Sequence, residues 1–553
     1  MKKFVLTAIL LNFFTLLYSQ LVTTGKIDSL KDAWDIKTTY IGEIKGGKPN
    51  GLGMAIYSNG TALRYVGYFV NGKFEGKGVL LLSNGSFSSG DWKNGKLTGQ
   101  GTSFNSNKDL YVGSFLNGEE NGQGISIFSD NSILQGNFKA NTYHGRSTFI
   151  NSAADVITDN MYKDGKKDGD GYQFELSNKK LFEGTWKNGN WVSSGTASFP
   201  SFLKDSRFFS EKTEKQVLMG ITDKTTKLLE EMCFFYDLKT KKRYFGKYKK
   251  GYLIDGIIVR DDSTRLIGTY NDDGTYGLGH FLKIGKFYDE GNYEKDYLND
   301  PKALSISLDK KTVYYGQVTG KAEFTGKAWF ADNSNQLFNG EYLKGEFTGT
   351  GWRLDKTGYC VKGKWKNGSL TAVTSLYNNY GELINIAPKT FSDGLTTICR
   401  AYPDYFYGLQ GNDDYSVFYD FVELGYESLI GLPGTTIGDV IISDYDYYNY
   451  YLATFAETKS FAEAKAKYDY LCSQVKTAAI TLKKGGAPLK FSGTAKTADA
   501  NNSFNISHFT LPSTAKGYDY FSVAVMIRKN SDNEYVVMLA CGDKTGMDDW
   551  GPK

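Results

Sequence analysis

Proline is scarce in this 553-residue chain, at nine, and histidine scarcer still, at three. So little proline beside 63 glycines argues against collagen or a disordered linker. Neither sign of charge prevails: 65 basic residues face 61 acidic ones, for a formal net charge of +4. That balance lacks the basic footprint of a nucleic-acid binder, so no nucleic-acid partner is expected. The five cysteines, Cys233, Cys360, Cys399, Cys472 and Cys541, are too far apart for a metal-type pair, and an odd number leaves at least one thiol free. Cys399 and Cys472, both on expected helices, are the pair to consider for a disulfide; the competing reading is buried apolar thiols. None of His144, His280 and His508 has a metal-ligand or nucleophile partner nearby in sequence. A Gly-x-Ser-x-Gly elbow, a His-Glu-x-x-His pair and a P-loop are missing as well. No enzyme signature, cofactor or metal site is therefore expected.

Long apolar runs are also missing, except at the start. Lys2 and Lys3 precede an apolar stretch from Phe4 to about Leu17, and Ser19 sits beside a plausible cut near Gln20. This is the layout of a secretory signal peptide over residues 1–20. A spanning helix needs about 20 apolar residues, and no cysteine marks a lipid anchor. The expectation is an exported protein (periplasmic, outer-membrane associated or extracellular) with no transmembrane segment after cleavage.

Glycine and aromatics are what the chain has in quantity, with 40 Tyr and 36 Phe. They fall in a frame. Tyr65-x-Gly67-x-Phe69-x-x-Gly72-x-x-x-Gly76-x-Gly78 is one copy, and Tyr40-x-Gly42-x-Ile44 opens another. The frame glycine recurs at Gly90, Gly113, Gly136, Gly184, Gly246, Gly268, Gly291, Gly316, Gly340 and Gly363, with Asn160 in its place once. That makes 13 copies, 22 to 25 residues apart outside one gap. In a strand, positions i, i+2 and i+4 share a face, so a glycine lies between two rings. Asn71-Gly72, Asn94-Gly95, Asn117-Gly118, Asn188-Gly189 and Asn367-Gly368 follow. Asn-Gly marks a type I′ hairpin turn, which needs positive φ at both positions. Turns at both ends of each copy imply an up-and-down meander.

These copies resemble MORN repeats, and the resemblance covers roughly residues 40–195 and 244–375. It implies hairpins stacked into an elongated, twisted, grooved sheet one layer thick. The expected fold is therefore mainly β, with stacked hairpins in two arrays, 40–195 and 244–375. The gap, 196–243, is expected as an insertion; Ser210–Glu231 is charged and reads as a helix, or as a degenerate copy around Gly220.

From 376 to 553 the pattern changes, and a separate C-terminal α+β domain is expected. Phe391, Leu395, Ile398, Tyr402, Phe406 and Leu409 recur at helical spacing, with Pro403 kinking that helix. Ser460 and Glu463 form a capping box before a second helix. Tyr415–Leu424, Gly438–Ser443 and Tyr447–Phe455 read as strands, and Tyr518–Ile527 and Tyr535–Ala540 as a hairpin. The domain resembles C-terminal modules of exported bacterial repeat proteins that carry a Leu-Pro-Gly stretch, here Leu432-Pro433-Gly434.

The candidate binding face is the aromatic ladder: Tyr65, Phe69, Trp92, Tyr111, Phe115, Phe138, Trp186, Tyr342 and Trp365. Its rings serve either as packing within the sheet or as a face for an extended partner. The leading expectation is a non-enzymatic envelope scaffold that meets a protein partner. The alternatives are a module that binds polysaccharide or a lipid headgroup along the ladder, and an enzyme with a site in 376–553. Paired acids there and in the repeats, Asp413/Asp414, Asp444/Asp446 and Asp272/Asp273, sit where turns favour Asp anyway.

Overall fold

The computed structural model describes residues 23–548, apart from 32–35, 59–61, 154–155, 176–179, 195–207, 224, 227, 261, 273–274, 296, 321–322, 405, 414–423, 443–448 and 484. The leader expected at 1–20 lies outside the described residues, as do Asp273, Asp414, Asp444 and Asp446. The chain divides into two compact units. One holds residues 27–347; the other holds 348–553 with 24–26.

The first unit begins with fifteen antiparallel strands in chain order, from Thr23–Lys31 to Asn190–Ser194. The turns are those the sequence demands: Asn71 and Gly72 have φ of 50° and 85°, and Asn94 and Gly95 of 52° and 85°. Four of the Asn-Gly turn glycines also donate their N–H to the preceding copy: Gly72 to Pro49 O (2.9 Å), Gly95 to Phe74 O (3.0 Å), Gly118 to Leu97 O (2.8 Å) and Gly189 to Lys167 O (2.8 Å).

The two glycines of each Gly-x-Gly pair have different reasons. Register jumps between the Gly67–Gly78 and Phe69–Phe74 pairs, so the second strand carries extra residues there. Gly76 sits in that bulge with φ +63°, in the left-handed region that a Cβ disfavours. Gly78 is bare because the Tyr65 ring lies on it, and a methyl group would overlap that ring. The frame tyrosines then close the jump. Tyr40 OH donates to Glu43 O at 2.7 Å, Tyr111 OH to Ser114 O at 3.0 Å, and Tyr314 OH to Gln317 O at 2.7 Å. This hydroxyl is why the first ring of a well-formed copy is tyrosine.

A second meander of seventeen strands in chain order runs from Phe208–Lys212 to Leu383–Ile384, and its strands up to Phe347 belong to the first unit. The helix expected within Ser210–Glu231 is absent: Phe208–Lys212, Gln216–Thr222 and Leu229–Asp237 are strands. The degenerate-copy reading fits better, since Gly220 lies opposite Cys233, which lies opposite Gly246. Apolar burial wins over the charges, because Val217, Met219 and Phe234 are all buried.

The single layer expected from the repeats is doubled in this unit. The strand faces behind the ladder carry Ile41, Val66 and Val79 in one sheet and Ile257, Ile267 and Ile306 in the other, all buried. The two sheets meet there. Phe87 packs on Tyr288 at 4.8 Å, and Tyr288 OH hydrogen-bonds Thr102 at 2.8 Å. Ile157 and Tyr172 line one small cavity with Met219 and Phe234. Three arginines, each three residues before a frame glycine, reach across to turn carbonyls. Arg265 donates to Lys108 O (2.8 Å), Ile127 O (3.0 Å) and Phe128 O (3.0 Å). Arg64 donates to Asp332 O, Lys311 O and Asn335 Oδ1, and Arg243 to Ser152 O. Burial lowers Arg64 and Arg265 to about 10, still well above neutrality, so both keep their charge.

In the second unit the last hairpins join the C-terminal residues. Arg353 donates to Gln410 O at 2.7 Å, Asn412 bonds both backbone groups of Leu370, and Gly408 lies against the Tyr359 ring. These contacts move the unit boundary from the expected 376 to 348. Helix α1 (Phe391–Ala401) stops before Pro403 and continues as two 3-10 turns. Helix α2 (Phe461–Thr477) packs Ala464, Tyr468, Leu471 and Val475 on a seven-stranded antiparallel sheet. Ser460 caps α2 as expected, but Glu463 does not return the bond to Ser460; its carboxylate accepts from Thr458 Oγ1 (2.7 Å), which in turn takes the Ser460 N–H (3.1 Å). Strands Ile437–Ile442, Asn449–Thr458, Phe521–Lys529 and Tyr535–Asp543 lie close to the expected places; 415–423 is not described. All five cysteines, Cys399 and Cys472 included, are buried, and none is joined in a disulfide.

Candidate functional site

All nine rings of the proposed face are buried, none more than 7% exposed. Tyr65 stacks on Phe74 with centroids 3.7 Å apart. The ring that opens one copy meets the second ring of the next edge-on: Tyr40 with Phe69 at 4.9 Å, Tyr65 with Trp92 at 5.3 Å, and Tyr111 with Phe138 at 5.0 Å. Tyr314 and Tyr342 repeat the contact at 5.7 Å. Trp92 Nε1 is also satisfied, by Gly78 O at 3.0 Å. The ladder rings thus spend their faces on one another.

The first rung of the ladder lapses in two successive copies of the first array. The fifth and sixth copies carry Leu134 and Thr158 where Tyr40, Tyr65 and Tyr111 stand in earlier copies, and Asn160 replaces the frame glycine. Leu134, Phe149, Thr158 and Gln173 are neighbours in one cross-strand row, so the volume of a missing ring lies open on the ladder face. The result is a groove of about 720 Å³. Such a volume suits a bound small molecule or side chain. Its walls are the half-buried rings of Phe128, Tyr143, Phe149 and Tyr162. Tyr143 meets Phe138 at 5.6 Å and Tyr162 at 5.7 Å. Asn160 itself is fully buried, and neither of its amide atoms has a hydrogen-bond partner among the described residues.

The groove is polar at its ends. Asp109 accepts from Ser129 N (2.8 Å), and Asp130 accepts from the N–H and hydroxyl of Ser132. Arg265 binds the carbonyls of these same turns, so its charge lies beside the two carboxylates. Lys167 also lines the groove, its ammonium 5.3 Å from the Trp186 ring centroid, and burial lowers its pKa. Glu120 stands near Asp109, Tyr111 and Tyr143; burial, then the Asp109 charge, pushes its carboxyl up to about 7.

That shift fixes a pH dependence. Folded Glu120 holds its proton at pH values where the unfolded chain, with an ordinary 4.5, has released it. The native state then binds more protons, so stability falls as pH rises from about 4.5 to 7. Denaturant midpoints across that range should decline, and Glu120→Gln should flatten the decline; an unchanged slope in the variant would place its cause elsewhere.

The histidines do not converge. His144 lies 3.5 Å from Asp164, His280 Nδ1 is 2.8 Å from Tyr288 OH, and His508 Nδ1 is 3.0 Å from Ser522 Oγ. Among the described residues no three His, Cys, Asp or Glu side chains group as a metal site requires. No described helix is long and apolar enough to cross a membrane. Sequence reasoning passed over Phe128, Tyr143 and Phe149, which are not rungs, and over Tyr162, which holds the second-ring position of the copy whose frame glycine is Asn160. The available signal was the loss of Tyr-x-Gly at 158–160.

A family model for the MORN repeat matches the chain in five places: residues 40–62, 65–87, 89–107, 111–133 and 182–202. The segment between the fourth and fifth matches holds Leu134, Tyr143, Phe149, Thr158 and Tyr162, which line the groove, and Asn160. Among curated proteins none matches the chain.

Proposed function

We propose that these MORN repeats form a binding module and that the module is a non-enzymatic scaffold of the cell envelope, exported by its leader. The observation that carries the reading is the groove where the ladder lapses. Copies such as those of Tyr65 and Tyr111 fill that space with a ring; here four half-buried rings face it between carboxylates and a lysine. Rings beside carboxylates, hydroxyls and an amide can hold an aromatic, basic or sugar group of a partner. A protein partner in the envelope is the leading occupant. A polysaccharide is the second reading, favoured by the mixture of ring faces with Gln173, Ser129 and Asp109 in one trough.

Restoring the frame tests this. Thr158→Tyr with Asn160→Gly places a ring where Tyr40, Tyr65 and Tyr111 stand in their copies and removes two unpartnered amide atoms. Each such buried group costs about 1–3 kcal/mol, so the double variant should melt higher than the parent. It should also lose binding to envelope proteins and cell-wall polysaccharide, whichever the parent retains. A stabilised variant that binds as before would show that the groove is not the site.

A further inference from the structure

The meeting of the two sheets in the first unit leaves a second cleft, of about 220 Å³, which shares no residue with the groove. Lys77 faces it from the first sheet; Glu290, Lys302, Tyr315 and Trp329 face it from the second. Tyr315 and Trp329 are cross-strand partners with ring centroids 5.6 Å apart, and they form an aromatic wall. Trp329 is 3% exposed, yet its indole N–H has no acceptor among the described residues. Trp92 shows that this fold can satisfy a tryptophan from backbone, whereas the Trp329 donor has no such acceptor. A buried donor without a partner is destabilising.

The other groups are held ready. Tyr288 OH donates to Glu290 Oε2 at 3.1 Å and is itself fixed by Thr102 and His280, each at 2.8 Å. Glu290 Oε1 has no partner among the described residues, and Lys302 makes no ion pair among them. Lys77 is paired with Asp91 at 3.3 Å. Asp91 and Asp300 also lie close enough to act on Tyr315. The surroundings therefore hold two ammonium groups against three carboxylates. A simple anion would meet that excess of negative charge. A simple cation would leave the indole N–H unanswered.

We propose that this cleft binds a small zwitterion of the free α-amino acid class, its carboxylate on the Trp329 N–H and the lysine ammonium groups and its ammonium on Glu290 against the Tyr315 ring. At about 30 Å³ per water-sized share of volume the cleft holds roughly seven non-hydrogen atoms, the size of a short aliphatic amino acid. Charged donors and acceptors at both ends make the ligand's bonds charge-assisted and orient it.

The test is calorimetric titration of the full chain with glycine, L-alanine, L-valine and L-leucine. Valinamide, which lacks the carboxylate, and N-acetylvaline, which lacks the ammonium, are the controls. At least one of the amino acids should bind, with both controls weaker by about tenfold or more. Trp329→Phe keeps the ring and removes the N–H; it should weaken amino-acid binding by about tenfold. Glu290→Gln should weaken amino-acid binding and leave N-acetylvaline unchanged. Thermal melts establish that each variant is folded. The proposal fails if the parent takes up none of the four at about 10 mM, if N-acetylvaline matches valine, or if folded Trp329→Phe binds as the parent does.

Discussion

Replacing Arg265 with leucine should cost the repeat unit about 3 kcal/mol or more. Leucine keeps the apolar stem, so the loss is not one of volume. What remains is the set of carbonyls of Lys108, Ile127 and Phe128, each deprived of a charged donor within 3.0 Å. Leaving a buried acceptor unsatisfied costs about 1–3 kcal/mol, and three are affected, although relaxation lets water reach the outer ones. Substituting a buried charge by an apolar residue is often harmless when its partners leave too; backbone carbonyls cannot leave. Equilibrium denaturation with hydrogen exchange is the measurement. Exchange should rise first in the turns at 105–109 and 128–132, and Arg64→Leu should act alike on the turns at 309–311 and 332–335. A variant with the parent's midpoint and unchanged protection would show that the arginines do not join the sheets.

The second large effect is expected at Trp92→Ala, at about 3–5 kcal/mol. An aromatic side chain buries about 150–250 Å², which at about 25 cal/mol per Å² is roughly 4–6 kcal/mol before entropy. Trp92 is 4% exposed, contacts Tyr65 and Phe74 edge-on at 5.3 and 5.6 Å, and satisfies its own N–H. Its loss leaves Gly78 O without that donor as well. Because the Trp92 contacts run to Tyr65 and Phe74 of the adjacent copy, the damage should stay among neighbouring copies, as in other nearest-neighbour repeat folds. Denaturation of Trp92→Ala, Phe115→Ala and Trp186→Ala reads the cost, with partner binding measured beside it. Near-parental stability with lost binding would instead make the ladder a contact face.

The hairpins were legible because their signals are local. Asn71-Gly72 has only one good turn to make, and Tyr65 must lie over a glycine. Gly76 and Gly78 looked alike in sequence, and only the register jump separates their roles. The doubling of the sheet was not legible. Val66 and Val79 alternate with the ladder as any half-buried strand does, and nothing local says whether solvent or a second sheet covers them. Arg64, Arg243 and Arg265 do share a position, three before the frame glycine, but a charged residue on a strand ordinarily reads as exposed. Strand Gln216–Thr222 was hidden because Cys233 stands where its partner glycine would be. As for the site, the ladder residues could be named while their burial could not; the groove is a departure from the pattern, visible only once the pattern is known to fill space.

The arginine contacts also set how this gene can lengthen or shorten. Arg64 reaches 247 to 271 positions along the chain, Arg265 reaches 137 to 157 positions back, and Arg243 reaches 91. The spans are nested, so the second array runs back along the first. In an open repeat protein a copy can be lost or duplicated at little cost beyond its own contacts. Here the loss of one copy from either array would slide every later contact by two strands, about 10 Å, and bring each guanidinium opposite the wrong turn. Copy number is thus constrained in pairs: a hairpin gained in one array keeps the arginines in step only if its counterpart gains one too.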